Sequence, residues 1–170
     1  MKTKRITTIS MLTAISVVIA IIESYFTFLN GIVPGLKLGL ANIIIVFALY
    51  NYDFKTSLLI SVKRVIIVSL VRTGFGLNFF FSLGGAIFSI VAMSLVKKTK
   101  LSIVGVSVVG SVFHGIGQVL VGSIILNNHY VIYYLPYLLL LSIPTGVLIG
   151  IIAKRILSYD ILKLMNNEKK

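Results

Sequence analysis

The sequence predicts an all-α integral membrane protein of six transmembrane helices, with the N and C termini both cytoplasmic. Three observations carry that expectation. Of 170 residues, 58% are hydrophobic, and the mean hydropathy is +1.06. A soluble domain of this length cannot hide so much apolar surface in one core, whereas lipid can. The apolar residues fall into six segments, and the basic residues collect in alternate breaks between them. At about 20 residues per crossing, six spans use nearly the whole chain. Residues 1–170 are therefore one transmembrane domain with no room for a soluble enzyme domain.

The first segment covers residues 6–29 and closes on the turn signals Asn30-Gly31 and Pro34-Gly35. Its basic start resembles a signal peptide. Its apolar run is too long for one, and no small-x-small cleavage site follows, so an uncleaved helix is expected. The second segment (36–50) and the third (57–72), separated by Asn51-Tyr52-Asp53, are short for full crossings. Tilting, or lining a polar cavity, would account for that. The fourth covers 78–96 and stops at the Lys97-Lys98-Thr99-Lys100 run. The fifth (103–126) and sixth (132–157) are joined by the polar hairpin Asn127-Asn128-His129.

Charge sets the orientation. With the N terminus inside, the cytoplasmic side holds Lys2, Lys4, Arg5, Lys55, Lys97, Lys98, Lys100, Lys154, Arg155, Lys163, Lys169 and Lys170. The outer side holds only Lys37 and Arg72. This is a strong positive-inside bias for a bacterial inner (cytoplasmic) membrane, multi-pass. The net charge of +12 thus reads as orientation and contact with anionic headgroups of the lipid bilayer, with no nucleic acid partner implied.

A charged side chain near the bilayer centre costs about 3 kcal/mol, so polar residues inside spans are candidates for a site. Glu23 lies in the outer part of the first helix. Lys37 and Asn42 open the second helix from outside, and Arg72 and Asn78 flank the outer turn between the third and fourth. His114 and Gln118 share one face of the fifth helix at i, i+4 spacing. Most therefore fall in the outer half of the membrane, which implies an outward-facing pocket lined by donors and at least two cations. Lys37 and Arg72 would hold a phosphate or carboxylate, and Asn42 and Gln118 would orient polar groups. Bland readings stand beside these. Lys37, Arg72 and Asn78 lie near helix ends and can snorkel to the interface. Lys63 and Arg64, about 10 Å from the inner end of their helix at 1.5 Å per residue, can do the same. His114 and Gln118 can be interhelical hydrogen-bond glue.

Small residues repeat at helical spacing at Ser10 and Ala14, at Ser16, Ala20 and Ser24, and again at Ser107, Ser111 and Gly115 and at Gly146 and Gly150. Such stripes let helix backbones approach closely. The exclusions are firmer. No cysteine is present, which removes disulfides, thiolate chemistry and cysteine-ligated metals. The four acids Glu23, Asp53, Asp160 and Glu168 form no sequence-adjacent pair. There is no phosphate-binding GxxxxGK[ST] loop and no GxSxG. His114 and His129 have no nearby carboxylates to complete a metal site. No cofactor is expected, and if transport needs energy another subunit or an ion gradient must supply it.

Pro34-Gly35-Leu36-Lys37-Leu38-Gly39-Leu40-Ala41-Asn42, Phe81-Ser82-Leu83-Gly84-Gly85, and the stretch from Gly105 to Gly110 with His114-Gly115-Ile116-Gly117-Gln118 resemble one membrane family. It carries two labels, heptaprenyl diphosphate synthase component I and Gx transporter family. The family often has Asn where this chain has Gly115. In size and topology it is similar to the substrate-binding S components of energy-coupling factor (ECF) transporters. That similarity implies an S-component-like bundle, an ECF coupling membrane subunit and ATPases as partners, and docking through Ala14, Ala20 and Ser24. The synthase label implies a soluble prenyl diphosphate synthase subunit as partner. Prenyl synthases hold magnesium on aspartate-rich motifs, and magnesium needs carboxylate oxygens. With two aspartates far apart, this chain is at most an accessory subunit of a prenyltransferase. Three expectations result. The first is a substrate-binding transporter subunit for a small anionic, isoprenoid, quinone or vitamin-related molecule. The second is a non-catalytic membrane component of heptaprenyl diphosphate synthase, and the third an assembly subunit of a membrane electron-transfer complex.

Overall fold

The computed structural model describes residues 2–25 and 39–159, and side chains from Arg5 onward within them. Helix α1 is Lys2–Tyr25, α2 Asn42–Asn51, α3 Phe54–Val68, α4 Leu77–Val96, α5 Ile103–Ile125 and α6 Leu135–Ser158. A π-helical turn, Ser69–Thr73, extends α3, and a 3-10 turn, His129–Tyr134, leads into α6. No strand occurs among the described residues. Four segments are long and apolar enough to cross a membrane: Arg5–Tyr25, Leu77–Val96, Ile103–Ile125 and His129–Ser158. Lys37 and the expected turns after the first segment lie outside the described residues.

The helix starts follow local chemistry. Asp53 caps α3 by accepting from the Thr56 backbone N–H at 2.6 Å, and Ser102 caps α5 by accepting from Gly105 N–H at 3.1 Å. Both satisfy donors that a helix leaves open at its first turn. Asn128 does the same for the 3-10 turn, accepting from Tyr130 N–H. Pro136 sits in the first turn of α6, where no N–H is needed.

Helix α2 is short, apolar and buried on nearly every side. Ile43 and Ile45 through Leu49 are all buried. At 1.5 Å per residue its ten residues span about 15 Å, half a hydrocarbon layer. The remaining helices surround it. Ile60 of α3, Ile90 and Met93 of α4, Val106 of α5, and Ile149 and Ala153 of α6 form one core with it. The outward faces are apolar too. Met11, Val18 and Ile22 of α1 and Leu140, Leu148 and Ile151 of α6 are exposed, as lipid-facing surfaces should be.

Basic residues gather where the core lies. Arg5 donates to the Asp53 carboxylate at 2.6 Å and to the Thr56 hydroxyl at 3.1 Å, joining the start of α1 to that of α3. Lys97, at the end of α4, donates to the Leu49 carbonyl at 2.6 Å and stands over the Tyr50 ring. This satisfies a carbonyl that the last turn of α2 would leave open.

Helices α4, α5 and α6 approach so closely that glycine is required at the contacts. A Cβ on Gly117 would lie 2.8 Å from the Gly84 carbonyl oxygen and from Phe88 Cβ. One on Gly146 or Gly150 would lie 2.7 Å from an α5 backbone carbon, at Val108 or Val104 respectively. Backbone cannot yield as a flexible side chain can, so these contacts fix the spacing of the three helices. Gly150→Leu should therefore lower stability by about 2 kcal/mol or more. Gly76→Ala, with nothing within 4 Å of its added carbon, should leave it unchanged. Thermal unfolding of the detergent-solubilised protein distinguishes the two.

Candidate functional site

Beyond the core, away from the Arg5–Asp53 end, the bundle forms a partly open cavity of about 110 Å³ to which all six helices contribute. Its walls combine apolar side chains with a set of polar ones, and each polar group has a local reason for its position.

Helix α1 supplies Ala20, Glu23 and Ser24. These continue the inward face that begins at Thr13 and Ser16, at the i, i+3, i+4 spacing of one helix side. Glu23 is only 8% exposed. Its carboxylate accepts a hydrogen bond from the Gly39 backbone N–H. Gly39 has φ +75°, a conformation that suits glycine. From there the chain turns into α2, with Asn42 N–H donating to the Gly39 carbonyl at 2.8 Å. This turn presents Gly39, Ala41 and Asn42 to the cavity.

Arg64 on α3 is 6% exposed and reaches the same place. One guanidinium nitrogen donates to Asn42 Oδ1 at 3.0 Å and another to Ser61 Oγ at 3.4 Å. The Glu23 carboxylate attracts it electrostatically. A buried cation needs this kind of compensation. Farther along, the π turn brings both Ser69 and Thr73 to the cavity, four residues apart and 3.5 Å between hydroxyls. It leaves Arg72 exposed, its guanidinium over the Tyr25 ring at 4.6 Å.

Helix α5 contributes Ser111, His114, Gly115 and Gln118 from one face. Gly85 of α4 lets that face approach, because a Cβ there would lie 2.9 Å from both the His114 ring and Gln118 Cγ. Helix α6 adds Ser142 and Thr145, whose hydroxyls donate back to the carbonyls of Leu138 at 2.5 Å and Leu141 at 2.9 Å. Pro144 lies between them, where a break in the helical hydrogen-bond ladder is expected. No cluster of three metal-ligating side chains occurs among the described residues.

Of the candidates from sequence, Glu23, Asn42, His114 and Gln118 meet at this cavity. Arg72 and Asn78 are exposed and do not line it, and Lys37 lies outside the described residues. Ala20 and Ser24, expected to dock a partner, also line the cavity, whereas Ala14 is exposed. Arg64 is the residue that depth along the helix misplaced. Depth alone puts Lys63 and Arg64 together as snorkelling cations. Their faces differ: Ser57, Ser61, Arg64 and Val68 are buried, while Leu59, Lys63, Ile66 and Leu70 are exposed. Serines at 57 and 61, at i, i+4, were the signal for a polar inward face.

The fold and the cavity define a class: a helical membrane protein with a cavity, partly lined by polar side chains, inside an apolar bundle. The chain belongs to the heptaprenyl diphosphate synthase component I family, whose profile matches residues 12–156. That range includes every described residue of the cavity wall. No curated protein and no solved structure matches the chain.

Replacing Asn42 with Leu removes the nearer of two acceptors of the buried Arg64 guanidinium and should destabilise the protein by about 2 kcal/mol. Arg72→Ala, which loses only an exposed ring contact, should cost less than about 1 kcal/mol. Denaturation midpoints of the two variants in one detergent give the comparison.

Proposed function

We propose that this chain is a non-catalytic, membrane-embedded subunit that binds a small molecule in its interior cavity and works with partner proteins. The observation that carries the reading is the cavity itself, lined from all six helices around a buried, compensated guanidinium. Apolar bundles do not keep such groups without a use or a structural need, and pockets with a few convergent polar groups are the usual ligand sites.

Catalysis of prenyl transfer finds no support in the acids. Glu23 faces the cavity and Asp53 is held by Arg5 at the opposite end. Magnesium-bound diphosphate needs several oxygens in one place. The family's description supports a division of labour instead, with a soluble heptaprenyl diphosphate synthase component carrying the chemistry. A transporter role, S-component-like with a coupling subunit and ATPases, fits a cavity at the end remote from the basic cluster.

On this reading the chain crosses the cytoplasmic membrane six times, with both ends inside and the cavity toward the outer face. The contacts Arg5–Asp53 and Lys97–Leu49 support it by tying the basic helix ends together. Exposed Tyr130, Tyr133, Tyr134 and Tyr137, near the other end, suit a headgroup belt.

Gentle-detergent isolation of the tagged chain from its own membrane should recover a defined partner, read by mass spectrometry. A soluble prenyl synthase chain supports the accessory role, and an ATPase pair with a coupling subunit supports transport. Recovery of neither, with no small molecule released from the purified chain on denaturation, contradicts the proposal. The cysteine-free sequence also permits single-cysteine labelling. An impermeant maleimide applied to intact cells should label His129→Cys and leave Lys98→Cys unlabelled; the reverse pattern would invert the orientation.

A further inference from the structure

We infer that the molecule held in this cavity is small, carries no net charge and presents N–H or O–H donors, and that the cavity selects against phosphate and diphosphate. The inference rests on the cavity being the binding site, and it deepens that reading by naming the class of ligand.

Charge balance is the first ground. Among the described residues that line the cavity, Glu23 is the only acid and Arg64 the only lysine or arginine. Both are buried, and the carboxylate attracts the guanidinium. Arg64 already donates to Asn42 and Ser61. An incoming diphosphate would bring two or more negative charges into a cavity whose one described guanidinium already shares the wall with a buried carboxylate that repels it. Phosphate sites normally offer uncompensated cations or several free donors. A molecule without net charge meets no such penalty.

Hydrogen-bonding polarity is the second ground. The Ser142 and Thr145 hydroxyl protons are directed to the Leu138 and Leu141 carbonyls. Their lone pairs are what remains for a ligand. Gln118 adds an amide carbonyl and amide N–H on the α5 side. Acceptors in a buried wall call for donors on whatever fills it.

Size is the third ground. A cavity of about 150 Å³ accepts one benzene, and this one is about 110 Å³. It suits a compact group of several heavy atoms. A long prenyl chain would extend beyond it.

The test uses the full chain in lipid nanodiscs, with millimolar inorganic diphosphate as probe and thermal unfolding as readout. Wild type should not shift. Glu23→Gln should gain a few degrees in diphosphate, because the glutamine still accepts from Gly39 while Arg64 loses its counter-charge. In parallel, heat-released small molecules from purified wild type are weighed by mass spectrometry, and the expected species is net-neutral with exchangeable hydrogens. A rise in wild type that Arg64→Gln abolishes, or release of a phosphate-bearing compound, overturns the ligand class while leaving the cavity as a binding site. If wild type and Asn42→Leu release the same material in the same amount, the cavity reading fails and this inference with it. The wild-type arms need no variant to fold.

Discussion

A guanidinium inside an apolar bundle must be compensated, and meeting that demand for Arg64 organises the half of the protein that holds the cavity. Asn42 sits at the first turn of α2 and accepts from it. Glu23 supplies the opposing charge from α1. Glu23 in turn engages Gly39, whose positive φ turns the chain into α2. Three elements far apart in sequence are thereby locked by one charge. Removing a single partner would strand a buried ion, which costs far more than a surface pair contributes.

The bundle divides its tasks along its length. At the basic end the space between helices is filled by Ile45, Leu49, Ile90, Met93 and Val106, each almost fully buried. At the other end α1, α3 and α6 turn serines, threonines and the Arg64 group inward, and a cavity remains. Glycine contacts between α4, α5 and α6 hold that geometry rigidly. A site mounted on closely packed helices keeps its polar groups in place without spending conformational freedom when a ligand arrives.

Much of this was legible in the residues themselves. Glu23, Asn42, His114 and Gln118 stand out because a polar side chain within an apolar run is costly unless it has a partner or a cavity. The helical architecture was equally legible from hydropathy, and the boundaries of α4 and α5 follow their Lys and Asn breaks closely. Other features lacked a signal. The serines and threonines of α6 satisfy themselves on the preceding turn, so they are unremarkable in any membrane helix. The π turn at Ser69–Thr73 has no sequence signature, yet it sets Thr73, exposed as it is, at the cavity's edge and Arg72 away from it. Arg64 was visible as a charge but was read by depth, when its helical face with Ser57 and Ser61 was the informative property.

The most direct measurement is a double-mutant cycle on Glu23→Gln and Arg64→Gln, with unfolding free energies read in one detergent at neutral pH. If the two groups compensate one another across the cavity wall, the double variant should be more stable than the sum of the single losses predicts, by about 1 kcal/mol or more. Losses that add to within about 0.5 kcal/mol would contradict the account, because each charge would then be supported independently.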